Sequence, residues 1–562
     1  MAARNVFRSH RRRPIPIFRW SSGETRCGRG SMTTQSSTAQ RAEQIPARAW
    51  LTLIAVIVGA LVFQLDGIVV GVANPGIAAG LRAGPAGIQW VNTAQLLALA
   101  GLAIPAGTLA DRFGRKRMFL LGVGGFTAAS LLCGLAPSIE VLIGGRVLQG
   151  ACGALLLPAA LGSIRAAFPP GRLPTALGVF GSAVALVLTV APPLAGALVE
   201  KAGWSWAFFA GVPFGVAGVV LGALVMTDQP PGETPPLDLP GAAAATLGIT
   251  ALVWAFTGAQ QAGWASARTI GFAAASLLLL IGFVVLQRIS PHPLIPLGLF
   301  RSRSFTIGLV LLALALAAMS AVTFFLMFFL QGVQGKGGFA ATVALLPLTV
   351  VLIVSPSIGG LLTQRLGART TLLLGAACYA VAFAFLLRLT ADSGAVDVGL
   401  PLALAGFGNG LLTVSAMEAI LGGVPAAHTA AAAGVKEAVG EIGGTIGIAG
   451  FGTLLGSVVG FVLPGALRGT LGDTALTELL MADHSLRADV ELGFAPAARD
   501  ALLGRLIETG IPADAAARAA AAVTAAAHRA FVDGMHAVYA VCVGAAILAS
   551  LLALLLRDPR AD

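Results

Sequence analysis

Long apolar blocks, each of about twenty residues or more, alternate along this chain with short charged or Pro/Gly-rich breaks. A helix of about twenty apolar residues crosses a bilayer core of about 30 Å. The pattern therefore predicts fourteen transmembrane helices. They are expected near residues 50–72, 88–110, 117–136, 140–164, 176–198, 204–226, 239–258, 270–288, 304–330, 339–364, 370–390, 397–422, 434–463 and 530–556.

The predicted helices fall into groups of six, two and six, which indicates an all-α polytopic membrane protein with two six-helix bundles and an inserted pair. Transporters built from repeated halves place the substrate path between the halves. The expected segments are a basic tail (1–47), a first bundle (48–226), an inserted pair (239–288), a second bundle (304–556) and, within it, an extracytoplasmic loop (464–529).

Composition agrees with a membrane protein and argues against a soluble enzyme. Of the 562 residues, 57% are hydrophobic and 11% charged, whereas soluble domains carry about 25% charged residues. No GxxxxGK[ST] phosphate loop is present, which argues against an ATP-driven pump. The five cysteines are scattered and imply neither a disulfide framework nor a metal site. We expect no enzymatic activity, no cofactor and no metal.

The net charge of +11 is concentrated in the N-terminal tail, where residues 1–48 hold ten arginines and two glutamates. This excess therefore indicates a basic cytoplasmic-type tail, and we expect no nucleic-acid partner. The expected partners of the protein are the lipid bilayer, protons and a small-molecule substrate. The short loops that carry most Lys and Arg are predicted to be cytoplasmic, because basic loops resist translocation. Both termini are then cytoplasmic, in a bacterial inner membrane. Met32 is a second candidate start.

The break between helices two and three reads Gly107-Thr108-Leu109-Ala110-Asp111-Arg112-Phe113-Gly114-Arg115-Lys116-Arg117. Asp111 can interact with a helix dipole and with a guanidinium. The run resembles the loop signature of the major facilitator superfamily, GxLaDrxGrkx. The resemblance implies that this loop locks the inner face through Gly107, Asp111, Arg112, Gly114 and Arg115. The alternative is that its charges only set the topology. A weaker copy occurs at 360–369, with Gln364 in the place of the acid.

Three further runs resemble the fourteen-span drug:proton antiporters of that superfamily, such as quaternary-ammonium and multidrug exporters. Arg146 to Gly150 is similar to RxxQG, whose arginine is linked to proton coupling in related antiporters; a purely structural tie is the alternative. Leu65 to Pro75 is similar to the first-helix motif LDxTIVNVALP and keeps its acid as Asp66. The antiporter motif of helix five matches poorly, but Pro192 retains its proline and is a candidate gating residue.

Four acids of the predicted helices are candidates for sites within the membrane: Asp66, Glu418, Glu437 and Glu441. Membrane acids usually face a cavity or a partner, because an ionised carboxylate in lipid is costly. Glu437 and Glu441 are four residues apart, so they share one helix face about 6 Å apart along the axis. The pair can bind a cation or share a proton. As alternatives, Lys436 can pair with Glu437 at the rim, and Glu418 can extend toward the membrane surface.

We predict a secondary transporter that exports amphipathic compounds, with organic cations as one candidate class, in exchange for protons by alternating access. The candidate proton and substrate sites are Asp66, Arg146, Glu418, Glu437 and Glu441. One alternative is an exporter of an endogenous metabolite on the same fold. Another is a non-transporting receptor or scaffold, in which the tail and the outer loop act. Substrate identity, proton stoichiometry and oligomeric state stay open.

Overall fold

The computed structural model describes residues 47–227, 238–425, 428–472, 475–482, 484–509 and 511–556. The predicted basic tail, with Met32, lies outside the described residues apart from its last position. The long helices are labelled in chain order: α1 Ala47–Gly80, α2 Pro85–Phe113, α3 Arg115–Gly134, α4 Ile139–Ala167, α5 Leu173–Ala202, α6 Val212–Val225, α7 Leu239–Ala262, α8 Ala267–Ile289, α9 Arg303–Phe328, α10 Leu346–Leu366, α11 Ala368–Leu386, α12 Ala395–Leu421, α13 Thr429–Leu471 and α14 Ala513–Leu554.

The predicted membrane spans are confirmed. Within the described residues, fourteen segments are long and apolar enough to cross a bilayer. Two of the predicted helices are divided in the structure, because a single turn, Trp206–Phe209, precedes α6 and a short helix, Gly338–Ala344, precedes α10. Helix α9 continues into a π-helical turn, Phe329–Val333.

The predicted outer loop at 464–529 is shorter than expected, because both flanking helices extend into it. Helix α13 passes Pro464 and ends at Leu471, and α14 already begins at Ala513. The early start of α14 at Ala513 follows from its alanine-rich first turns, since alanine has the highest helix propensity. Between the two helices lie three short ones, Ala475–Ala482, His484–Glu491 and Pro496–Glu508.

Serine caps and glycine turns set several of the helix ends. The side chain of Ser138 accepts a hydrogen bond from the backbone nitrogen of Val141 at the start of α4, as N-cap serines do. Gly114 joins α2 to α3 with φ +98°, and Gly367 joins α10 to α11 with φ +85°. A side chain is strained at such φ values. The two motif loops therefore form the same one-residue turn.

The two bundles repeat one packing arrangement. In the first, α2 packs on α4, α3 on α4 and α6, and α1 on α5. In the second, α10 packs on α12, α11 on α12 and α14, and α9 on α13. Between the bundles, α2 contacts α13 and α10 contacts α5. We call these two contact lines the α2–α13 seam and the α5–α10 seam.

The inserted pair α7–α8 lies along the α2–α13 seam. Helix α7 packs on both α2 and α13, and the indole nitrogen of Trp264, just after α7, donates to Thr453 Oγ1 of α13 at 2.6 Å. On the other side, the rings of Trp254 and Trp90 of α2 lie 6.2 Å apart. The insertion thus contacts both bundles.

Successive membrane-crossing helices alternate in direction, which gives the molecule two faces. The face at which α1 begins and α2 ends carries the α2–α3, α4–α5 and α10–α11 connections, with Lys116, Arg172 and Arg369 among their basic residues. We call it the basic face. The opposite face, called the far face, carries the three short helices between α13 and α14.

Close packing of α13 on α9 leads to a stability prediction. A Cβ on Gly447 would lie 2.6 Å from the Cα of Ala317, whereas a Cβ on Gly450 would meet no atom within 4 Å. Gly447→Ala should therefore destabilise the protein by about 1–3 kcal/mol through overpacking. Gly450→Ala, the control on the same helix, should be neutral or stabilising by about 0.5–1 kcal/mol. Thermal unfolding in detergent measures both, and equal melting temperatures would contradict the packing.

Candidate functional site

A buried ion pair joins two helices of the first bundle. Asp66 lies in α1 and Arg146 in α4, and the guanidinium Nη1 donates to Asp66 Oδ2 at 2.5 Å. The two side chains are only 4% and 3% exposed. Breaking a buried pair from one side leaves an uncompensated charge and costs about 3–5 kcal/mol. The two residues therefore depend on each other.

Neighbouring polar groups complete the coordination of this pair. Gln149 Nε2 donates to Asp66 Oδ1 at 2.8 Å and to Ser130 Oγ at 2.9 Å. Arg146 Nε donates to the backbone oxygen of Val91 at 2.9 Å, and its Nη1 also reaches Gln149 Oε1 at 3.0 Å. Four helices, α1 to α4, thus contribute to one network.

Apolar side chains cover this network on the side of the far face. These side chains are buried around Phe208, whose ring lies 5.9 Å from the Arg146 guanidinium carbon. The cluster comprises Val69, Val70, Ala73, Ile77, Val91, Cys133, Ala136, Leu142, Ala207 and Phe208. Water is thereby excluded, and electrostatic interactions strengthen in such surroundings.

A second acid, Asp111, links the two bundles at the basic face. Its carboxylate accepts hydrogen bonds from the backbone nitrogens of Ala430 at 3.1 Å and Ala431 at 2.8 Å, in the first turn of α13. It also pairs with Arg115 at 3.0 Å, and Arg115 donates to the backbone oxygen of Gly162 at 3.2 Å. A negative charge at a helix N-terminus is stabilising, so this contact ties α2 to α13 at the basic face.

Glycines bring the backbones of the two bundles into direct contact at both seams. A Cβ on Gly107 of α2 would collide with the carbonyl oxygen of Ala430, the second residue of α13. On the other seam, a Cβ on Gly360 of α10 would collide with the carbonyl oxygen of Pro174, the second residue of α5. The two seams therefore use matching positions.

The chemistry of the two seams nevertheless differs. Gln364 stands in α10 where Asp111 stands in α2, three residues before the turn glycine. It accepts a hydrogen bond from Thr175 Oγ1 at 2.6 Å. Pro174 has no backbone N–H to offer it. Only the α2–α13 seam therefore combines the carboxylate with two backbone donors.

Arg112 and Pro192, which were also predicted from the sequence to act in gating, lie apart from each other. The Arg112 guanidinium lies over the ring of Phe113 at 5.2 Å, and its Nε has no hydrogen-bond partner among the described residues. Pro192 falls within α5, but its side chain lies outside the described part of the structure. Arg165, in the last turn of α4, donates to the backbone oxygens of Leu421 and Gly422, both at 3.2 Å.

The paired acids of α13 form a third group. Lys436 Nζ contacts Glu437 Oε1 at 2.7 Å, so the ion pair considered from the sequence is present. Glu441 is half-buried and has no hydrogen-bond or ion-pair partner among the described residues. At 100° per residue both acids share the helix face of Ala430, which contacts α2. Glu418 lies one turn from the end of α12, at the basic face.

The structure thus joins Asp66 to Arg146 and Asp111 to Arg115, and it places Glu437 and Glu441 on one face of α13. Gln149 and Ser130 were not singled out from the sequence. Gln149 belongs to the run that resembles RxxQG, which was the available signal. Ser130 offers no pattern that separates it from other membrane serines.

Comparison with known proteins agrees with this architecture. The family model described as Major Facilitator Superfamily matches residues 56–448. The tetracenomycin C resistance and export protein of Streptomyces glaucescens is 37% identical over 424 residues, which cover 75% of this chain and 79% of that protein. Multidrug resistance protein Stp of Mycobacterium tuberculosis (strain CDC 1551 / Oshkosh) is 32% identical over 446 residues, covering 78% and 83%.

A solved structure shows the same fold. The human organic anion transporter MFSD10 superposes with a TM-score of 0.52 at 14% sequence identity, covering 91% of this chain and 100% of that chain. The family that the loop signature indicated is confirmed, because the family model and the relatives match most of the chain. This chain belongs to the major facilitator superfamily.

Proposed function

We propose that the protein is a proton-coupled exporter of amphipathic compounds that works by alternating access between its two bundles. The observation that carries the proposal is the sealed Asp66–Arg146 pair inside the first bundle. Family membership and the names of the relatives, a tetracenomycin C exporter and a multidrug resistance protein, support export of such compounds. These relatives disfavour the receptor or scaffold alternative.

The conformation has a closed basic face, which alternating access requires in one of its states. The described parts of α1 and α4 make no extensive contact with α9 or α12, and at the basic face Arg165 of α4 donates to the last residue of α12. Opening the basic face separates Asp111 from α13. In the proposed topology this face is cytoplasmic, both termini lie on that side, and the membrane is the bacterial inner membrane.

In the proposed cycle Asp66 exchanges the proton and Glu441 receives the charge of a cationic substrate. Asp66 is suited to the first role because its partner, Arg146, is always protonated and can hold the ionised acid. Glu441 is suited to the second because it is half-buried and lacks a partner among the described residues. Glu437 is already paired with Lys436.

An exporter of an endogenous metabolite remains the second candidate. Streptomyces glaucescens tetracenomycin C protein is named for both resistance and export, so drug and metabolite are compatible substrates of such a chain. Ethidium-driven proton flux in vesicles separates the two, because the metabolite exporter should ignore ethidium.

Neutralising Asp66 tests the proton site. Asp66→Asn should lower ethidium–proton exchange in proteoliposomes about 100-fold, the equivalent of about 3 kcal/mol lost from the buried pair. Asp66→Asn/Arg146→Gln keeps the pair charge-balanced and serves as the second variant if the single one unfolds. Asp392→Asn, at an exposed position, is the control. Exchange at the control rate in a folded variant would rule out this proton site.

Removing the charge at the α2–α13 seam tests the gate. Asp111→Asn should weaken closure by about 2 kcal/mol, which corresponds to about a 30-fold shift toward the open basic face. The reporter is a cysteine at Ile104, which is 7% exposed in the closed state, and the rate of its maleimide labelling is measured. Gln364→Asn, at the matching position of the other seam, is the control. Equal labelling of the two variants would contradict the gate.

Neutralising Glu441 and neutralising Glu437 should change the substrate affinity by different amounts. Glu441→Gln should weaken ethidium binding about tenfold or more, since a hydrogen bond to a charged group contributes about 1.5–3 kcal/mol. Glu437→Gln should have a smaller effect, because Lys436 already neutralises that carboxylate. Binding is measured by equilibrium dialysis of the purified variants. An equal loss in both, or no loss in Glu441→Gln, would remove Glu441 from the substrate site.

A further inference from the structure

The amide of Gln149 bridges the two charges of the buried pair. Its Nε2 donates to Asp66 Oδ1 at 2.8 Å and to Ser130 Oγ at 2.9 Å. Its Oε1 accepts from Arg146 Nη1 at 3.0 Å and from Cys133 Sγ at 3.5 Å. Gln149 is fully buried, with 0% of its surface exposed. Each end of the amide therefore faces one charge, and only this orientation satisfies both.

We propose that Gln149 is a positioning residue that transmits the protonation state of Asp66 to Arg146 by reversing its amide. The inference rests on the proposed function, in which Asp66 is the acid that exchanges the proton. It adds the group through which that exchange reaches helix α4.

The reversal follows from the donor and acceptor inventory. In the ionised state, Asp66 Oδ1 accepts from Gln149 Nε2. When a proton from the transport path binds Oδ1, the new O–H is a donor that faces a donor. Rotation of the amide by about 180° presents Oε1 to this O–H, and a hydrogen bond forms again.

The same rotation changes the surroundings of Arg146. Gln149 Nε2 then faces Arg146 Nη1, which is also a donor and always protonated. Arg146 loses its contact with the amide at the same time as Asp66 loses its negative charge. Asp66 Oδ2 and the backbone oxygen of Val91 can still accept from Arg146, but the carboxyl no longer carries a charge. One proton thus removes the contact of Arg146 with the amide and weakens its contact with Asp66.

Ser130 can accommodate both orientations of the amide. Its hydroxyl accepts from Gln149 Nε2 while it donates to the backbone oxygen of Phe126 at 2.9 Å. A hydroxyl is both donor and acceptor and can rotate. In the reversed state it can donate to Gln149 Oε1 in place of the Phe126 oxygen, so the end of the amide that faces Asp66 and Ser130 keeps its hydrogen bonds.

Few ionisable groups face Asp66 within the described residues, so few neighbouring groups can contribute to the pH dependence of exchange. They are Arg146 of α4 and Cys133 of α3. Helix α6 and the turn Trp206–Phe209 contain no ionisable residue. Those of α2 and α5 lie in the last turns of these helices, at Asp111, Arg112, Glu200 and Lys201.

The test is the pH profile of ethidium–proton exchange by the full chain in proteoliposomes. Gln149→Met keeps a similar volume and removes both polar ends. The midpoint of its profile should move to higher pH by about one unit, because the ionised carboxylate loses one donor. In an Asp66→Asn background the same substitution should change nothing further, since Gln149 acts through Asp66. Melting temperatures in detergent confirm that each variant folds.

Ser130→Ala provides the second variant in case Gln149→Met does not fold, and its midpoint should move in the same direction by a smaller step. Ser163→Ala, a buried serine of α4 whose hydroxyl bonds only within its helix, is the control and should show no shift. Slower exchange with an unchanged midpoint in Gln149→Met, together with a flat profile in Asp66→Asn, would overturn the role of Gln149 and leave the proposed function intact. A normal profile in Asp66→Asn would overturn both.

Discussion

A charge inside a membrane protein must find a partner, and this constraint organises the structure. Asp66, Asp111 and Glu441 satisfy this constraint to different degrees. Asp66 is fully coordinated by Arg146 and Gln149 and is sealed by apolar side chains. Asp111 is coordinated across a seam that can separate. Glu441 has no protein partner among the described residues. The extent to which each acid is paired matches its proposed role: Asp66 binds the proton, Asp111 forms the gate, and Glu441 binds the charge of the substrate.

The two bundles share one packing arrangement but differ in the residues at matching positions. Arg146 and Gln149 are the eighth and eleventh residues of α4, and the same positions of α12 hold Leu402 and Ala405, both fully buried. The second bundle thus has an apolar core where the first has an ion pair. Replacing a buried ion pair by packed apolar residues is often neutral or stabilising. One proton site per molecule is consistent with this division, and it leaves α13 free to present its acids to the other bundle.

The sequence predicted the fourteen spans and singled out Asp66, Arg146 and Asp111 as candidates, because charges stand out in apolar helices. It did not predict that Asp66 and Arg146 meet, since contacts between distant helices depend on their packing. The partners of Asp111 could not be predicted at all, because they are backbone N–H groups of Ala430 and Ala431. The early start of α14 was not predicted for a different reason, because its alanine-rich first turns are helical without being apolar enough to read as a span.

Energetics place a limit on what the proposed gate at Asp111 can do. Moving a two-state equilibrium from 1:99 to 99:1 needs about 5.5 kcal/mol, whereas a charge at a helix N-terminus contributes at most about 2 kcal/mol. The contact therefore biases the closed state without fixing it. The glycine contacts at both seams add packing that is lost on opening, so other contacts must form in the open state for transport to proceed. Since coupling between two binding events is reciprocal, a proton that changes the state of the bundles must itself bind with different affinity in each state. A sealed acid whose partner can move away has that property.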